Sequence, residues 1–321
     1  MMKSVLIARK TILIIGVSGF IGRALARHFA KQQYKVYGID RVSPENAPLA
    51  DLQGYEQIEL PSTRLTQMLV NWQPNVLIHC AGRASVPAAM QDPYADYMDG
   101  PVLTFMLLEA LRQNLPECAF ILLSSAAVYG NPTHLPISED ALIQPVSAYG
   151  YHKWQSEIMC VEFAKLFGLR TASVRIFSAY GPGLRRQVIW DIVYKALTQP
   201  EIHLQGTGKE SRDFIHVQDI ARGLDAILMN APLQGEEYNL ASGVETRIVD
   251  LADLILGEIV DSPPLSFSGE LPNGTPKNWL ANIRRISELG FTPEVELMKG
   301  IVSYINWARI DISYLKKDKS S

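Results

Sequence analysis

The feature that most constrains this chain is Gly16-Val-Ser-Gly19-Phe-Ile-Gly22. It follows a short β-branched apolar run, Thr11–Gly16, and opens a helix over Phe20–Lys31, where Ile21, Leu25 and Phe29 recur at helical spacing. Gly16 permits a tight turn, Gly19 lets backbone amides approach a pyrophosphate, and Gly22 lets the helix pack close to the sheet. The helix N-terminus favours the negative charge, and the Ser18 hydroxyl adds a donor. A plain strand–helix turn is the alternative for a lone glycine triplet. Context argues against it, because a second strand, Lys35–Asp40, ends on an acid about 20 residues on, where a ribose 2′-hydroxyl would be met. A 2′-phosphate would be repelled by Asp40, although Arg41 beside it is what such a phosphate would seek. The reading is a dinucleotide site, with NAD favoured over NADP.

Further buried strands are expected at Val76–Ala81, Ala119–Leu123 and Arg170–Phe177, with helices at Tyr94–Arg112 and Ser147–Phe167. Alternating strands and helices predict an α/β fold, a doubly wound parallel sheet. After about residue 180, GPG, PLQG, SPP and LPNGTP break the chain into shorter pieces, with helices expected over Val217–Met229 and Ile248–Val260. The expected organisation is a Rossmann domain over 11–180. A smaller substrate-binding lobe would cover most of 181–315, with some segments returning to the Rossmann core.

With 47% hydrophobic and 20% charged residues a sizeable core can form, and a net charge of −3 gives no reason to expect nucleic acid. No run is long and apolar enough for a spanning helix, and residues 1–10 read as a loose leader. Cys80, Cys118 and Cys160 are scattered, so no disulfide framework or metal site is expected, and a reducing, cytoplasmic setting fits.

Tyr149 and Lys153 stand four apart near the start of a predicted helix, one turn apart on one face. An ammonium stabilises a phenolate, so the pair can take a hydroxyl proton as hydride leaves the carbon, or return it. Ser125, within SSAAVYG at the end of a strand, can hydrogen-bond the same substrate oxygen. YxxxK alone is a common surface pattern. Its co-occurrence with the dinucleotide turn and the strand-end serine carries the argument.

GxxGFIG at 16–22, SSAAVYG at 124–130, YGYHK at 149–153, RDFIHVQDIARG at 212–223 and SELGFTP at 287–293 together resemble the extended short-chain dehydrogenase/reductases of the NAD-dependent nucleotide-sugar epimerase/dehydratase family. The resemblance covers about residues 11–310. It implies NAD as cofactor, Ser125, Tyr149 and Lys153 as the catalytic set, and Arg212 as a grip on the nucleotide diphosphate. A planar guanidinium fork suits phosphate on physical grounds as well. It implies a nucleotide-diphosphate sugar as partner, and a homodimer formed through the helices at 94–112 and 147–167. The candidate cofactor set is Gly16, Ser18, Gly19, Phe20, Ile21, Gly22, Asp40, Arg41, Ala81, Tyr149 and Lys153. The candidate substrate set is Ser85, Ser125, Ser178, Arg185 and Arg212. Arg185 and its neighbour Arg186 follow the lobe junction, where they could face a phosphate or start a solvated helix.

Departures from the family narrow the chemistry. Members that eliminate water or decarboxylate carry acids after the strand-end serine or threonine, where this chain has Ala126 and Ala127. That leaves a 4-epimerase, or a 4-ketoreductase using NAD(P)H. A non-catalytic nucleotide-binding scaffold is the rival from another class, disfavoured because it would not need Ser125, Tyr149 and Lys153 together. Phe177-Ser178 replaces the common Phe-Asn, Asp99-Gly100 replaces Asn-Val, and Glu59-Leu60 stands where an Asp usually meets the adenine. His79, inside an apolar strand, is expected to be a hydrogen-bonded core residue.

Overall fold

The computed structural model describes residues 10–271 and 276–318, with side chains to 314. The leader expected over 1–10 lies outside the described residues except for Lys10, as does most of the turn expected at 271–276.

The first half runs β1 (Thr11–Ile15), α1 (Phe20–Lys31), β2 (Lys35–Asp40), β3 (Gly54–Gln57), α2 (Arg64–Trp72), β4 (Val76–His79), α3 (Val86–Gln91), α4 (Pro93–Tyr97), α5 (Leu103–Asn114), β5 (Ala119–Ser125), α6 (Ala148–Phe167) and β6 (Thr171–Ile176). The second half runs β7 (Ser178–Tyr180), α7 (Gln187–Thr198), β8 (Ile202–Leu204), β9 (Ser211–His216), α8 (Val217–Asn230), β10 (Gln234–Leu240), β11 (Glu245–Arg247), α9 (Ile248–Gly257), β12 (Leu265–Phe267), α10 (Arg284–Ser287) and α11 (Leu297–Asp318).

Seven strands form one sheet in the order β10-β6-β5-β4-β1-β2-β3. Every pairing in it is parallel. Alternation along β1 divides the core. Ile12 and Ile14 face a layer built from Leu25 and Phe29 of α1 and Ile220, Leu224 and Ile227 of α8. Leu13 and Ile15 face Leu69 of α2, Leu107 and Leu111 of α5, and Phe163 of α6. Both faces of the sheet are thus covered, as its uninterrupted apolar strands require. Strand order reverses between β1 and β4, and in such sheets ligands bind at the carboxyl ends of the strands flanking the reversal.

The later residues do not all leave this core, since α8 and β10 return to it. The others build a second cluster in which α7, α9 and α11 pack around Tyr180, Phe214 and Tyr304. Two small sheets, β11-β9-β7 and β12-β8, edge it. The stretch read as one helix over Tyr94–Arg112 differs. Between α4 and α5 the chain widens into a π-helical turn, Met98–Val102, around Pro101. Proline has no N–H to donate, so the regular helical ladder cannot continue through it.

Candidate active site

The glycine turn sits at the carboxyl end of β1 and is sterically fixed. Gly16 has φ +81°, and a Cβ there would come within 2.7 Å of the Ala81 nitrogen. A Cβ at Gly22 would lie 2.3 Å from the Gly16 carbonyl oxygen. Above the turn runs a groove of about 480 Å³, walled by Gly16, Ser18 and Gly19, by Asp40–Val42, by Ile58–Leu60 and by Cys80–Ser85. Asp40 is held in place, its carboxylate accepting from the Ser18 and Arg41 backbone N–H groups, each at 2.8 Å. Ser85 lines the groove while its hydroxyl caps α3, accepting from the Ala88 nitrogen at 3.3 Å. Phe20, Ile21 and Gly22 stand just outside it. The Phe20 ring packs on the second cluster, with α7, α9 and α11, and Ile21 on the sheet core.

Beyond Gly82 and Arg83 the groove meets a water-sized pocket of about 10 Å³, lined also by Asp96, Gly100, Tyr149, His152 and Lys153. Two elements place the Tyr149–Lys153 pair there. Ser147 caps α6, its hydroxyl accepting from the Gly150 nitrogen at 3.2 Å. Gly150 presses the first turn of α6 onto the tight turn at 126–129, where a Cβ would meet the Ala127 oxygen at 2.5 Å. That turn starts at Ser125, whose Oγ accepts from the Ala127 nitrogen. Lys153 Nζ donates to the Leu123 carbonyl at 2.8 Å and lies 5.8 Å from the centre of the Tyr149 ring. The start of α6 therefore packs Tyr149 onto the turn that Ser125 begins and ties Lys153 to the end of β5, while Ser125 itself lines neither the groove nor the small pocket.

A model of the NAD dependent epimerase/dehydratase family matches residues 12–241. The chain belongs to that family. It is 28% identical to a putative UDP-glucose 4-epimerase of Methanocaldococcus jannaschii, over 93% of this chain and 98% of that one. It is 27% identical to a UDP-glucuronate 4-epimerase of Thermodesulfobacterium geofontis, over 96% and 98%. Its fold is similar to a Bacillus cereus UDP-glucuronic acid 4-epimerase in complex with UDP-glucuronic acid and NAD. The TM-score is 0.86 at 26% identity, over 94% of this chain and 99% of that one.

The groove fits the family's dinucleotide. Its floor is the glycine turn, which a side chain at 16 or 22 would obstruct, and its far wall carries the fixed Asp40 carboxylate. The remaining sequence-selected residues are distributed unevenly. Ser178 opens β7, half-buried. Arg212 lies against Trp279, 5.4 Å from the ring centre, and donates to the backbone carbonyls of Ser211, Pro276 and Lys277. Its burial pushes the guanidinium pKa down to about 10. Arg185 forms a two-pronged ion pair with Asp311 of α11, at 2.8 and 2.6 Å, and does not line the groove, whereas Arg186 does. His79 is buried, but its Nδ1 has no partner among the described residues, contrary to the hydrogen bond expected there.

Three polar side chains that the sequence did not single out for the site line it, Arg83, Asp96 and His152, as does Arg186, which was named beside Arg185 as able to face a phosphate. Arg83 pairs with Asp99 at 3.3 Å. The His152 and Asp96 side chains meet at 2.6 Å beside Tyr149. Arg186 reaches the groove from the second half of the chain. The available signals were that Arg83 follows a strand end and that His152 lies one turn beyond Tyr149. Their partners are 16 and 56 residues away, too far for local spacing to reveal.

Proposed function

We propose that this chain is an NAD-dependent nucleotide-sugar 4-epimerase acting on a UDP-hexose-like substrate. The observation that carries the reading is the Tyr149–Lys153 pair where the dinucleotide groove opens, packed against the turn of Ala126 and Ala127 that Ser125 begins. The 4-epimerase relatives support it.

Bound NAD supplies a hydride acceptor that can also return the hydride. The chain's own groups handle the proton and the orientation. Tyr149 removes the C4 hydroxyl proton and later gives it back. The Lys153 ammonium, steered by the Leu123 carbonyl, stabilises the phenolate and hydrogen-bonds the nicotinamide ribose. Ser125 holds the substrate oxygen against Tyr149. Ala126 and Ala127 have no proton to give or take, so they do not assist elimination of water or loss of carbon dioxide. Gly16, Ser18, Gly19, Asp40, Arg41 and Ala81 hold the cofactor, and Ser85, Ser178 and Arg212 act on the nucleotide sugar.

The open faces of α5 and α6 carry Phe105 and Ile158, 47% and 48% exposed. They support a homodimer in which the two helices of each copy form a four-helix bundle. Three free cysteines fit work in the cytoplasm. Among the described residues no helix is long and apolar enough to cross a membrane.

Mass spectrometry of small molecules released from the purified protein tests the reading. Retained NAD is the expected result. Protein free of cofactor that consumes NADH or NADPH only with a 4-keto sugar would assign the chain to the reductases instead.

A further inference from the structure

We propose that Arg186 is a clamp on a diphosphate, that of the cofactor, by which the second lobe holds the dinucleotide in its groove. The inference rests on the reading that NAD occupies that groove.

Among the described residues that wall the groove, Arg186 alone comes from beyond Leu103. Its Nη1 donates to the Ala84 carbonyl at 2.8 Å, and no carboxylate pairs with it among the described residues. The other groove-side arginines are placed differently. Arg83 is paired with Asp92 and Asp99, and Arg41 stands at the ribose end beside Asp40.

The loop that carries Arg186 is fixed from behind. Gly181, Gly183 and Gln187 all have positive φ, at 142°, 104° and 68°. Tyr304 Oη donates to the Leu184 carbonyl, and Arg185 is locked to Asp311. Neighbouring arginines thus divide the work, one tying the loop to α11 and the other reaching the groove.

The position over the groove follows from two contacts. A Cβ at Gly183 would stand 3.7 Å from the Phe20 ring, and Phe20 directly follows Gly19. Ala84, which accepts from Arg186, is three residues past Ala81, whose nitrogen faces the missing Cβ of Gly16. The guanidinium therefore rests on the loop after β4 while its own loop abuts Phe20 beside the glycine turn, the two stretches that flank the place of the diphosphate. The glycine turn offers N–H dipoles there. Arg23, in the first turn of α1, spends its donors on the Ser18 and Asn46 carbonyls. A planar fork with unspent N–H groups matches a diphosphate that brings negative charge into this place.

The test compares release of bound NAD from the wild-type holoenzyme with release from Arg186→Ala, Arg186→Gln and Arg186→Lys. The alanine and glutamine variants should release NAD about 10- to 100-fold faster, with lysine between them and wild type. Affinity for adenosine, which carries no phosphate, should be equal in all four. Glutamine can still donate to Ala84 but carries no charge. Wild-type release from Arg186→Gln would mean that the bond to Ala84 is what matters, and would overturn the clamp, as would wild-type release from Arg186→Ala. Weakened binding of UDP with unchanged NAD release would assign Arg186 to the sugar nucleotide and overturn the assignment to the cofactor. If wild-type protein carries no NAD, the functional reading fails separately. Titration of the four proteins with NAD and with adenosine then tests the clamp directly, and equal NAD affinity in all four overturns it.

Discussion

Lys153 Nζ is bonded to the Leu123 carbonyl at 2.8 Å while standing 5.8 Å from the centre of the Tyr149 ring. One strand thus aims the ammonium at the phenol, and the hydroxyl is the only atom that distinguishes Tyr149 from phenylalanine. Tyr149→Phe should lower turnover about 10²- to 10⁴-fold while the protein keeps its NAD. Steady-state kinetics with quantitation of bound cofactor checks this. Turnover at the wild-type rate would rule out the proton role.

Gly22 has no space for a side chain. A Cβ would meet the Gly16 oxygen at 2.3 Å and Val17 Cα at 2.8 Å, both backbone atoms that cannot swing aside. Gly22→Ala should cost about 1–3 kcal/mol of stability and reduce bound NAD, because the strain falls on the turn that forms the groove floor. Denaturant unfolding measures the first effect and cofactor content the second.

His79 is 2% exposed in β4, and burial pushes its pKa down to about 3, aided by the Lys153 charge. The unfolded chain takes up that proton near pH 6.5, and the folded chain does not until about pH 3. The folded pKa is the lower one, so this contribution to stability is present above pH 6.5 and is lost as the pH falls towards 3. The loss approaches about 1.4 kcal/mol per pH unit in that window. The unfolding free energy of wild type, measured across it relative to that of His79→Leu, should fall on acidification. Parallel curves would contradict the assignment.

Phe105 packs edge-on against Phe163, and Phe163 against Phe167, so an aromatic ladder joins α5 to α6 below their open face. Leu166, beside it, is 70% exposed. Sedimentation should find a dimer at micromolar concentration. The double variant Phe105→Glu, Ile158→Glu should shift it to monomer, because charges would then have to enter an apolar interface.

The sheet was legible where short apolar strands alternate with amphipathic helices. Lys35–Asp40 and Phe20–Lys31 were expected within the bounds observed. Ser125 and Tyr149 could be chosen because each sits at the end of an element whose pattern is local. The segment after Arg212 was harder. It forms strand β9, whose partners β7 and β11 are three-residue edges that leave almost no pattern. The π-helical turn at Met98–Val102 was missed because apolar spacing resumes directly beyond it, although Pro101 was the local cue that a regular helix could not run through. The division of roles between Arg185 and Arg186 turns on Asp311, 126 residues away from Arg185. No local rule anticipates such a partner.

The most direct measurement is to incubate the purified protein, with no cofactor added, with a UDP-hexose and to follow the sugar by NMR. The structure predicts that the C4 epimer accumulates to an equilibrium mixture, reached equally from either epimer, with no net change in bound NAD. A panel of UDP-hexoses left unchanged by protein that carries NAD would contradict the 4-epimerase assignment.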